Sequence, residues 1–150
     1  MDTIRKAVEK DLSRIAEIEV FNYRMNFYPI FQDDWFYFEE LQVLNRIEAY
    51  RGVLSELWVF DDGVVKGFLQ TADGEIRKLF VEPVLHGQSI GAKLLNWAVT
   101  YENARYLWAL EKNGRAIAFY ERSGFVKTAE RKLEEDTEEY LVRMERKERP

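Results

Sequence analysis

The sequence lacks cysteine altogether and has a single histidine, His86, among its 150 residues. Without cysteine there is no disulfide, thiolate zinc site or cysteine nucleophile, which fits a reducing compartment. One histidine makes a Ser-His-Asp triad or a multi-histidine metal site hard to build. No metal is expected, although carboxylate sites for hard cations stay open. The sequence also has no apolar run near the roughly 18 residues of a membrane span, and no signal-peptide core.

Basic residues are outnumbered, with 22 Lys and Arg against 27 Asp and Glu and a net charge of −5. A basic nucleic-acid-binding surface is therefore not expected. The acidic balance attracts cationic substrates only mildly, because salt screens such a field within about 8–10 Å. The 47% hydrophobic content, eight glycines and three prolines exclude disordered and collagen-like classes. We expect a soluble, cytoplasmic protein with one domain, residues 1–150, and without a membrane or nucleic-acid partner.

Hydrophobic spacing predicts a strand at 3–7 and then two helices. The first helix follows Asp11, an expected N-cap, and the second runs from Asp33-Asp34 to about Gly52. Apolar residues at helical spacing define their buried faces: Leu12, Ile15, Ile18 and Phe21 in the first, and Phe36, Phe38, Leu41, Leu44 and Ile47 in the second.

From residue 57 the spacing of apolar residues changes to one that is typical of β-strands. Runs at 57–60, 64–69 and 76–81 are separated by Asp-Asp-Gly and Asp-Gly, which are strong hairpin signals. A helix at 91–101, with Leu94, Leu95, Ala98 and Val99 on one side, and a strand at 106–110 follow.

Asn113 is expected to cap a further helix that ends at Gly124, before a strand from Phe125. The highly charged segment 130–150 is either a solvated hairpin strand or a tail that binds a partner. The predicted order is β-α-α-β-β-β-α-β-α-β-β, with one right-handed parallel βαβ unit at 75–110. The fold class is therefore α/β (α+β), a mixed, mostly antiparallel central sheet with helices on both faces.

The segment 81–95 carries the chemical signal. A strand ends, a loop of small residues follows and a helix begins, which aims backbone amides and the positive end of a helix dipole at one point, as phosphate requires. An ordinary strand-to-helix turn has the same pattern. A Walker loop does not fit, because only three residues separate Gly87 from Gly91 and Ala92 precedes Lys93. A dinucleotide GxGxxG is absent from this loop.

The loop resembles the acyl-CoA loop of the GNAT acetyltransferases, whose pattern is Arg/Gln-x-x-Gly-x-Gly/Ala. His86, Ser89 and Gly91 occupy the matching positions, and of these Gly91 alone agrees with the pattern. The block 107–125 closely follows the family's strand-Asn-x-x-Ala-x-x-Phe-Tyr-x-x-x-Gly-Phe signature. The order of elements also agrees, so the sequence resembles a GNAT (acyl-CoA N-acyltransferase) fold over essentially its whole length.

This resemblance implies acetyl-CoA as cosubstrate and a gap between the strands at 75–81 and 106–110 that receives its pantetheine arm. It implies backbone contacts to the arm and main-chain amides around the pyrophosphate. The residues expected to bind the cofactor are Leu79, Phe80, Val81, His86, Gly87, Gln88, Ser89, Gly91, Ala92, Asn113, Phe119 and Tyr120. Asn113 is on local grounds a helix cap, and an exposed loop position is the simpler role for His86.

The resemblance also implies catalytic roles. Tyr120 matches the tyrosine that gives a proton to the departing thiolate, and an ordinary tyrosine is protonated at neutral pH. Glu75 matches a carboxylate base, although it follows Asp-Gly and is equally interpreted as a hairpin residue. Glu111 and Glu121 are weaker candidates. A backbone amide near Val81 is expected to stabilise the oxyanion.

An aromatic cluster at 27–38 lies where the first two helices meet, and Tyr28 and Trp35 are the residues expected to contact the acceptor. The acceptor is an amine that the sequence does not name, and a homodimer is an expectation from the resemblance alone. The expected function is N-acetyl transfer to a primary amine by direct attack, without a covalent enzyme intermediate. The alternatives are a non-catalytic CoA-binding regulatory module and an interaction domain that uses only the fold.

Overall fold

A computed structural model describes residues 3–85 and 89–147 of the chain. Seven strands form one sheet in the order β1-β2-β3-β4-β5-β7-β6. Their bounds are β1 Thr3–Lys6, β2 Leu57–Asp61, β3 Val65–Ala72, β4 Glu75–Val81, β5 Tyr106–Leu110, β6 Phe125–Leu133 and β7 Tyr140–Arg146. All neighbours pair antiparallel except β4 with β5. The predicted mixed, mostly antiparallel sheet is confirmed.

Helices cover both faces of this sheet. The α-helices are α1 Leu12–Asn22, α2 Tyr28–Phe31, α3 Val43–Arg51, α4 Ile90–Tyr101 and α5 Gly114–Arg122. Buried residues of α1 and α3 pack with Leu57, Val59 and Phe68 of the sheet, whereas α4 and α5 pack on the other face with Leu107 and Met144. Two separate cores therefore lie on opposite sides of the sheet.

The hairpin and cap signals are confirmed. Asp73 and Gly74 have φ of 52° and 82° between β3 and β4, as a tight β-turn requires. Gly124, with φ 97°, follows α5 in the left-handed conformation that ends helices. On α4, Leu94, Leu95 and Ala98 are fully buried on the side that the periodicity predicted.

The predicted second helix is wrong in its first half. Residues Phe36–Glu40 form a π-helical turn, and at Leu41 ψ is 88°, so α3 begins only at Val43. The wider turn shifts the helical phase, because a π-helix bonds i to i+5. As a result Leu44 is 77% exposed, whereas Tyr50 is buried against Phe68. A single 3.6-residue period across 33–52 cannot account for both halves.

Two predictions for α1 also need correction. Asp11 does not cap the helix with its side chain; its carboxylate accepts the Val8 amide at 2.8 Å and binds Arg5 at 2.8 Å. Phe21 is 43% exposed, although Leu12, Ile15 and Ile18 are buried as expected. Asp11 therefore ties the start of α1 to strand β1 through Arg5.

A buried ionic cluster joins the sheet to the helices between β1 and β2, residues 12–51, which we call the helical layer. Glu19 on α1 is completely buried and binds Arg46 of α3 at 2.5 Å and Lys78 of β4 at 2.6 Å. It also accepts a short hydrogen bond from Tyr50. Burial lowers the pKa of Lys78, and the charge of Glu19 opposes that change. The cluster fixes α1, α3 and β4 relative to one another.

The charged C-terminal segment forms the solvated hairpin of β6 and β7. Val142 and Met144 face the core, whereas Leu133 and Tyr140 are exposed. In the described ranges, no helix has the length and apolar character needed to cross a membrane.

Glu19→Gln is expected to lower the free energy of unfolding by about 3 kcal/mol, because it leaves Arg46 and Lys78 partly buried without a counter-charge. Urea denaturation measures the change. Glu48→Gln is the matched control, since Glu48 is 74% exposed and pairs with Arg51 on the surface, where the loss is expected to stay below about 1 kcal/mol. Similar losses in both variants would contradict a structural role for the buried cluster.

Candidate active site

The sheet opens between its two parallel strands. β4 and β5 pair at two positions, 75–76 with 106–107, although both strands continue beyond them. The register of β4 with β3 shifts between Ile76 and Lys78, which makes Arg77 an extra residue, a β-bulge. A bulge bends a strand and increases its twist. The bulge therefore lies at the point where β4 leaves β5.

The backbone of β4 presents polar groups to this gap. Glu82 donates its amide to the Lys66 carbonyl at 2.9 Å, and bonded and non-bonded positions alternate along an antiparallel ladder. Counted back from Glu82, the polar groups of Phe80 face β3 and those of Leu79 face the gap. The register thus agrees with a backbone contact from Leu79, whereas the backbone of Phe80 is engaged with β3.

The backbone of β5 also presents a polar group to the gap. Glu111 donates its amide to the Tyr140 carbonyl at 2.9 Å, so the alternation turns the polar groups of Leu110 away from β7. The Leu110 carbonyl accepts the Asn113 amide at 2.9 Å, and its own amide faces the gap. Backbone groups away from bulk water need hydrogen-bond partners. An extended ligand with amide groups of its own would satisfy both edges.

A cleft of about 1580 Å³ includes this gap. Its walls come from the helical layer around Tyr23–Phe36, the start of α4, the exposed side of α5 and the connection between β6 and β7. The cleft is lined by these predicted site residues: Trp35, Leu79, Phe80, Val81, Ser89, Gly91, Ala92, Asn113, Phe119 and Tyr120. His86, Gly87 and Gln88 lie outside the described residues.

The amino end of α4 borders the cleft. The helix begins at Ile90, and the Lys93 amide makes a helical bond to the Ser89 carbonyl at 3.0 Å. The first amides of a helix have no intrahelical partner, and with the helix dipole they stabilise an anion. Ser89 adopts φ 65° and ψ 9°, the left-handed region that favours glycine. The family's usual glycine at this position therefore has a conformational reason.

Helix α5 forms the opposite border. Asn113 accepts the Ala116 amide at 3.2 Å, which confirms the predicted N-cap. A methyl group on Gly91 would lie 3.4 Å from the Phe119 ring, so α5 is in close contact with the start of α4. Tyr120 packs against Phe119 with ring centroids 5.2 Å apart. The two helices thus enclose the end of the cleft at which Tyr120 lies.

The Tyr120 hydroxyl has no hydrogen-bond partner among the residues that the structure describes. Burial raises the pKa of Tyr120 to about 12. The phenol therefore stays protonated well above neutral pH, as a hydrogen-bond donor or acid requires.

The carbonyl of Val81 is engaged by helix α1. This carbonyl accepts a hydrogen bond from the buried Asn22 side chain at 2.9 Å, and Asn22 also donates to the Ile18 carbonyl at 2.8 Å. The end of β4 is therefore tied to α1. The Phe80 ring faces the same helical layer, 5.5 Å from the Tyr23 ring centroid.

The structure does not bring Glu75 or Tyr28 to the cleft. The Glu75 carboxylate lies 3.6 Å from Arg77 at the end of β4 that still pairs with β5. Leu79 is roughly 13 Å further along the strand at about 3.3 Å per residue. Tyr28 donates a hydrogen bond to Asp34 and is not among the residues that line the cleft. Trp35 does line the cleft and is 65% exposed.

Several lining residues escaped the sequence prediction: Tyr23, Tyr37, Lys78, Arg115, Arg122 and the loop 134–139. A signal existed for the two arginines, because positions 115, 119 and 122 follow the i, i+4, i+7 spacing of one helix face. Tyr37 belongs to the predicted aromatic cluster at 27–38, from which the sequence singled out Tyr28 and Trp35. The loop had no signal, since it reaches the cleft only when the sheet brings distant segments together.

Comparisons with known proteins bear on this arrangement. Residues 54–127 match a family model described as acetyltransferase (GNAT) domain. An uncharacterized N-acetyltransferase of Methanocaldococcus jannaschii is 41% identical over 56 residues, which are 34% of this chain and 25% of that protein. The peptidyl-lysine N-acetyltransferase YjaB of Salmonella typhimurium is 29% identical over 99 residues, 58% of this chain and 68% of YjaB. The chain therefore matches a quarter of the length of the first relative.

Solved structures share the fold over nearly the whole chain. PaiA N-acetyltransferase of Thermoplasma acidophilum, in complex with coenzyme A, has a TM-score of 0.67 at 19% identity and covers 95% of this chain and 98% of its own. The predicted fold is confirmed. The matched segment 54–127 includes both sequence blocks on which the resemblance depended.

Ser89→Gly is expected to raise the free energy of unfolding by up to about 1 kcal/mol, because glycine has no Cβ to strain the left-handed conformation. Urea denaturation measures it. The matched control is Ser123→Gly, where φ is −95° and glycine relieves no strain. An equal change in both variants, or a loss in Ser89→Gly, would contradict this account of the loop.

Proposed function

We propose that this chain, which matches the GNAT acetyltransferase family model over residues 54–127, transfers an acetyl group from acetyl-CoA to a primary amine by direct attack. The observation that carries the proposal is the gap between β4 and β5, where the backbone groups of Leu79 and the Leu110 amide face inward beside the start of α4. The arm of the cofactor carries amides, so it complements both edges as an additional strand does. We propose that residues 1–150 act as one such domain.

The anionic part of the cofactor is proposed to lie at the start of α4, on the amides of residues 89–92. Arg115 and Arg122 line the same cleft from α5, and neither has an ion-pair partner among the described residues. Guanidinium groups bind phosphate through charge-assisted hydrogen bonds. Gly91 of α4 and Phe119 of α5 are in close contact, and both line the cleft between these two helices. His86, Gly87 and Gln88 remain predicted contacts.

The reaction begins when the acceptor ammonium loses a proton to water, because an ammonium with a pKa near 10 has no lone pair for attack. The free amine then adds to the thioester carbonyl. A β4 amide near Val81 is the proposed donor to the oxyanion. The tetrahedral adduct loses the nitrogen proton and breaks its carbon–sulfur bond, which leaves the N-acetylated product and the CoA thiolate.

Tyr120 is proposed to act on the departing sulfur. Its pKa of about 12 exceeds that of an ordinary thiol by roughly 3.5 units, so complete proton transfer to a free thiolate is uphill by about 5 kcal/mol. The magnitude favours a hydrogen bond from the Tyr120 hydroxyl to the sulfur while charge develops. The thiolate then takes its final proton from solvent.

No base is assigned to Glu75, because its carboxylate lies beside Arg77 at the closed end of the strand pair. Deprotonation by water at the mouth of the cleft needs no residue at that position. The rate is then expected to follow the fraction of free amine. Cytoplasmic location and a homodimer stay predictions.

The non-catalytic alternative has one observation in its favour, the left-handed Ser89 at the position where the family pattern has glycine. A weakened cofactor loop is compatible with a binding module that regulates a partner. Such a module would respond to CoA in a thermal shift but release no thiol. An interaction domain that uses only the fold would show neither.

A free-thiol assay with acetyl-CoA against an amine library, with CoA binding measured in parallel, separates these functions. The proposal predicts thiol release that requires an amine and forms an N-acetyl product by mass spectrometry. CoA binding without release from any amine would favour the regulatory module.

Tyr120→Phe is expected to lower kcat by about 10- to 100-fold, the value of a hydrogen bond to a charged group, with little change in CoA affinity. Because its raised pKa keeps the neutral phenol to high pH, kcat of the native enzyme is expected not to fall near pH 10, where an ordinary tyrosine ionises. Tyr101→Phe is the matched control on the exposed end of α4. Unchanged kcat in Tyr120→Phe would remove this residue from the mechanism.

A further inference from the structure

Tyr37 is a buried side chain with an unpaired polar group at the cleft. It is 4% exposed, lines the cleft and packs its ring against Phe31 and Phe36. Its hydroxyl has no hydrogen-bond partner within residues 3–85 and 89–147. Burial, followed by the charges of Asp33 and Glu134, raises the pKa of Tyr37 to about 12. The Tyr37 hydroxyl is not among the fully buried side-chain atoms that lack a partner, so this oxygen of an otherwise buried residue is open to the cleft, where it can accept a hydrogen bond from a ligand.

Asp33 and Glu134 line the cleft from two different segments of the chain. Asp33 precedes the π-helical turn of the helical layer, whereas Glu134 lies in the connection of β6 with β7. Glu134 also contributes to raising the pKa of Tyr23, after burial and the charge of Glu19. We call Asp33, Tyr37 and Glu134 the acidic corner. It is formed only when the hairpin and the helical layer face each other.

The hairpin brings further negative charge to this end of the cleft. The lining residues of the connection include five carboxylates: Glu134, Glu135, Asp136, Glu138 and Glu139. Glu139 binds Lys112 at 3.0 Å, and in the described ranges the other four have no ion-pair partner.

The basic residues that line the cleft are either close to a carboxylate or belong to α5. Lys78 is bound by the buried Glu19 at 2.6 Å, and Arg77 lies 3.6 Å from Glu75. Arg115 and Arg122 both belong to α5, on the side proposed for the cofactor phosphates. The unpaired charges therefore differ in sign between two parts of the cleft wall, basic on α5 and acidic on the connection of β6 with β7, which suits an anionic cofactor beside one and a cation beside the other.

We propose that the acceptor carries a second cationic group besides the amine that is acetylated, and that the acidic corner binds this second group. The inference rests on the proposed function and names its substrate class. An ammonium has three N–H donors, and the corner supplies two carboxylates and a phenol oxygen as acceptors. The exposed ring of Trp35 lines the same cleft and offers a face that attracts cations. A free polyamine and a basic side chain next to a lysine both provide this chemistry.

Matched acceptors test the proposal. In the thiol assay, 1,4-diaminobutane is compared with 1-aminobutane, and a blocked Lys-Lys dipeptide with a blocked Lys-Ala dipeptide. After correction for the two equivalent amines of the diamine, kcat/KM is expected to favour the acceptor with a second charge by about tenfold or more. The two pairs identify the source of the cation as a polyamine or a peptide. Equal kcat/KM within both pairs would overturn the proposal.

Substitutions in the acidic corner test whether it causes the preference for acceptors with a second charge. Glu134→Gln, Asp33→Asn and Tyr37→Phe are each expected to move the preference for the second charge toward one, mainly through KM of the charged acceptor. Glu130→Gln is the matched control, because Glu130 on β6 is 60% exposed and does not line the cleft. A preference that survives in all three corner variants, or falls equally in Glu130→Gln, contradicts this site.

A binding measurement separates this proposal from the proposed function. Isothermal titration of spermidine into the CoA-saturated protein is expected to show binding that weakens in Glu134→Gln but not in Glu130→Gln. If thiol release is absent but this pattern holds, acetyl transfer fails and the cation site stands. If thiol is released and spermidine binds both variants alike, the function stands and the acidic corner fails.

Discussion

The departure of β4 from β5 after two paired positions is the constraint on which the cleft depends. Each strand is anchored on its other side: β4 by the β3 ladder and by Asn22 at its end, and β5 by β7. Each strand therefore keeps its pairing on its outer side, while β4 and β5 part from each other after residues 76 and 107. The backbone groups of Leu79 that would have completed the sheet face the gap instead, and that is the chemical basis for an extended amide-bearing ligand.

Charged groups are unevenly distributed around this gap. Glu19 neutralises the lysine that faces the cleft from β4 and at the same time holds α1 and α3 on the sheet. Among the described lining residues, the charges without an ion-pair partner include the arginines of α5 and the carboxylates around Glu134 in the β6–β7 connection. One buried carboxylate therefore serves both the packing of the helical layer and the polarity of the site. Tyr120, half-buried and with a pKa raised to about 12, lies in the same cleft.

Much of the fold was predictable because its signals are local. The Asp73-Gly74 turn, the Asn113 cap and the Gly124 stop each depend on a few neighbouring residues. The helix predicted from residue 33 to Gly52 was wrong because a π-helical turn changes the period, and hydrophobic spacing assumes a constant one. For the site, the sequence indicated the loop before α4 and Tyr120. It missed Arg115, although the helical spacing from Phe119 contained the information.

The sequence by itself determined the order of elements, the family resemblance and the residues on either side of the gap, since these follow from short-range patterns and spacing. Tertiary structure alone decided that Glu75 lies away from the cleft, because the strand bulge and the splay are properties of paired strands. It also placed Glu134 and Tyr37, about a hundred residues apart in the chain, in the lining of one cleft. Contacts between distant segments arise from packing, and no local pattern in the sequence encodes them.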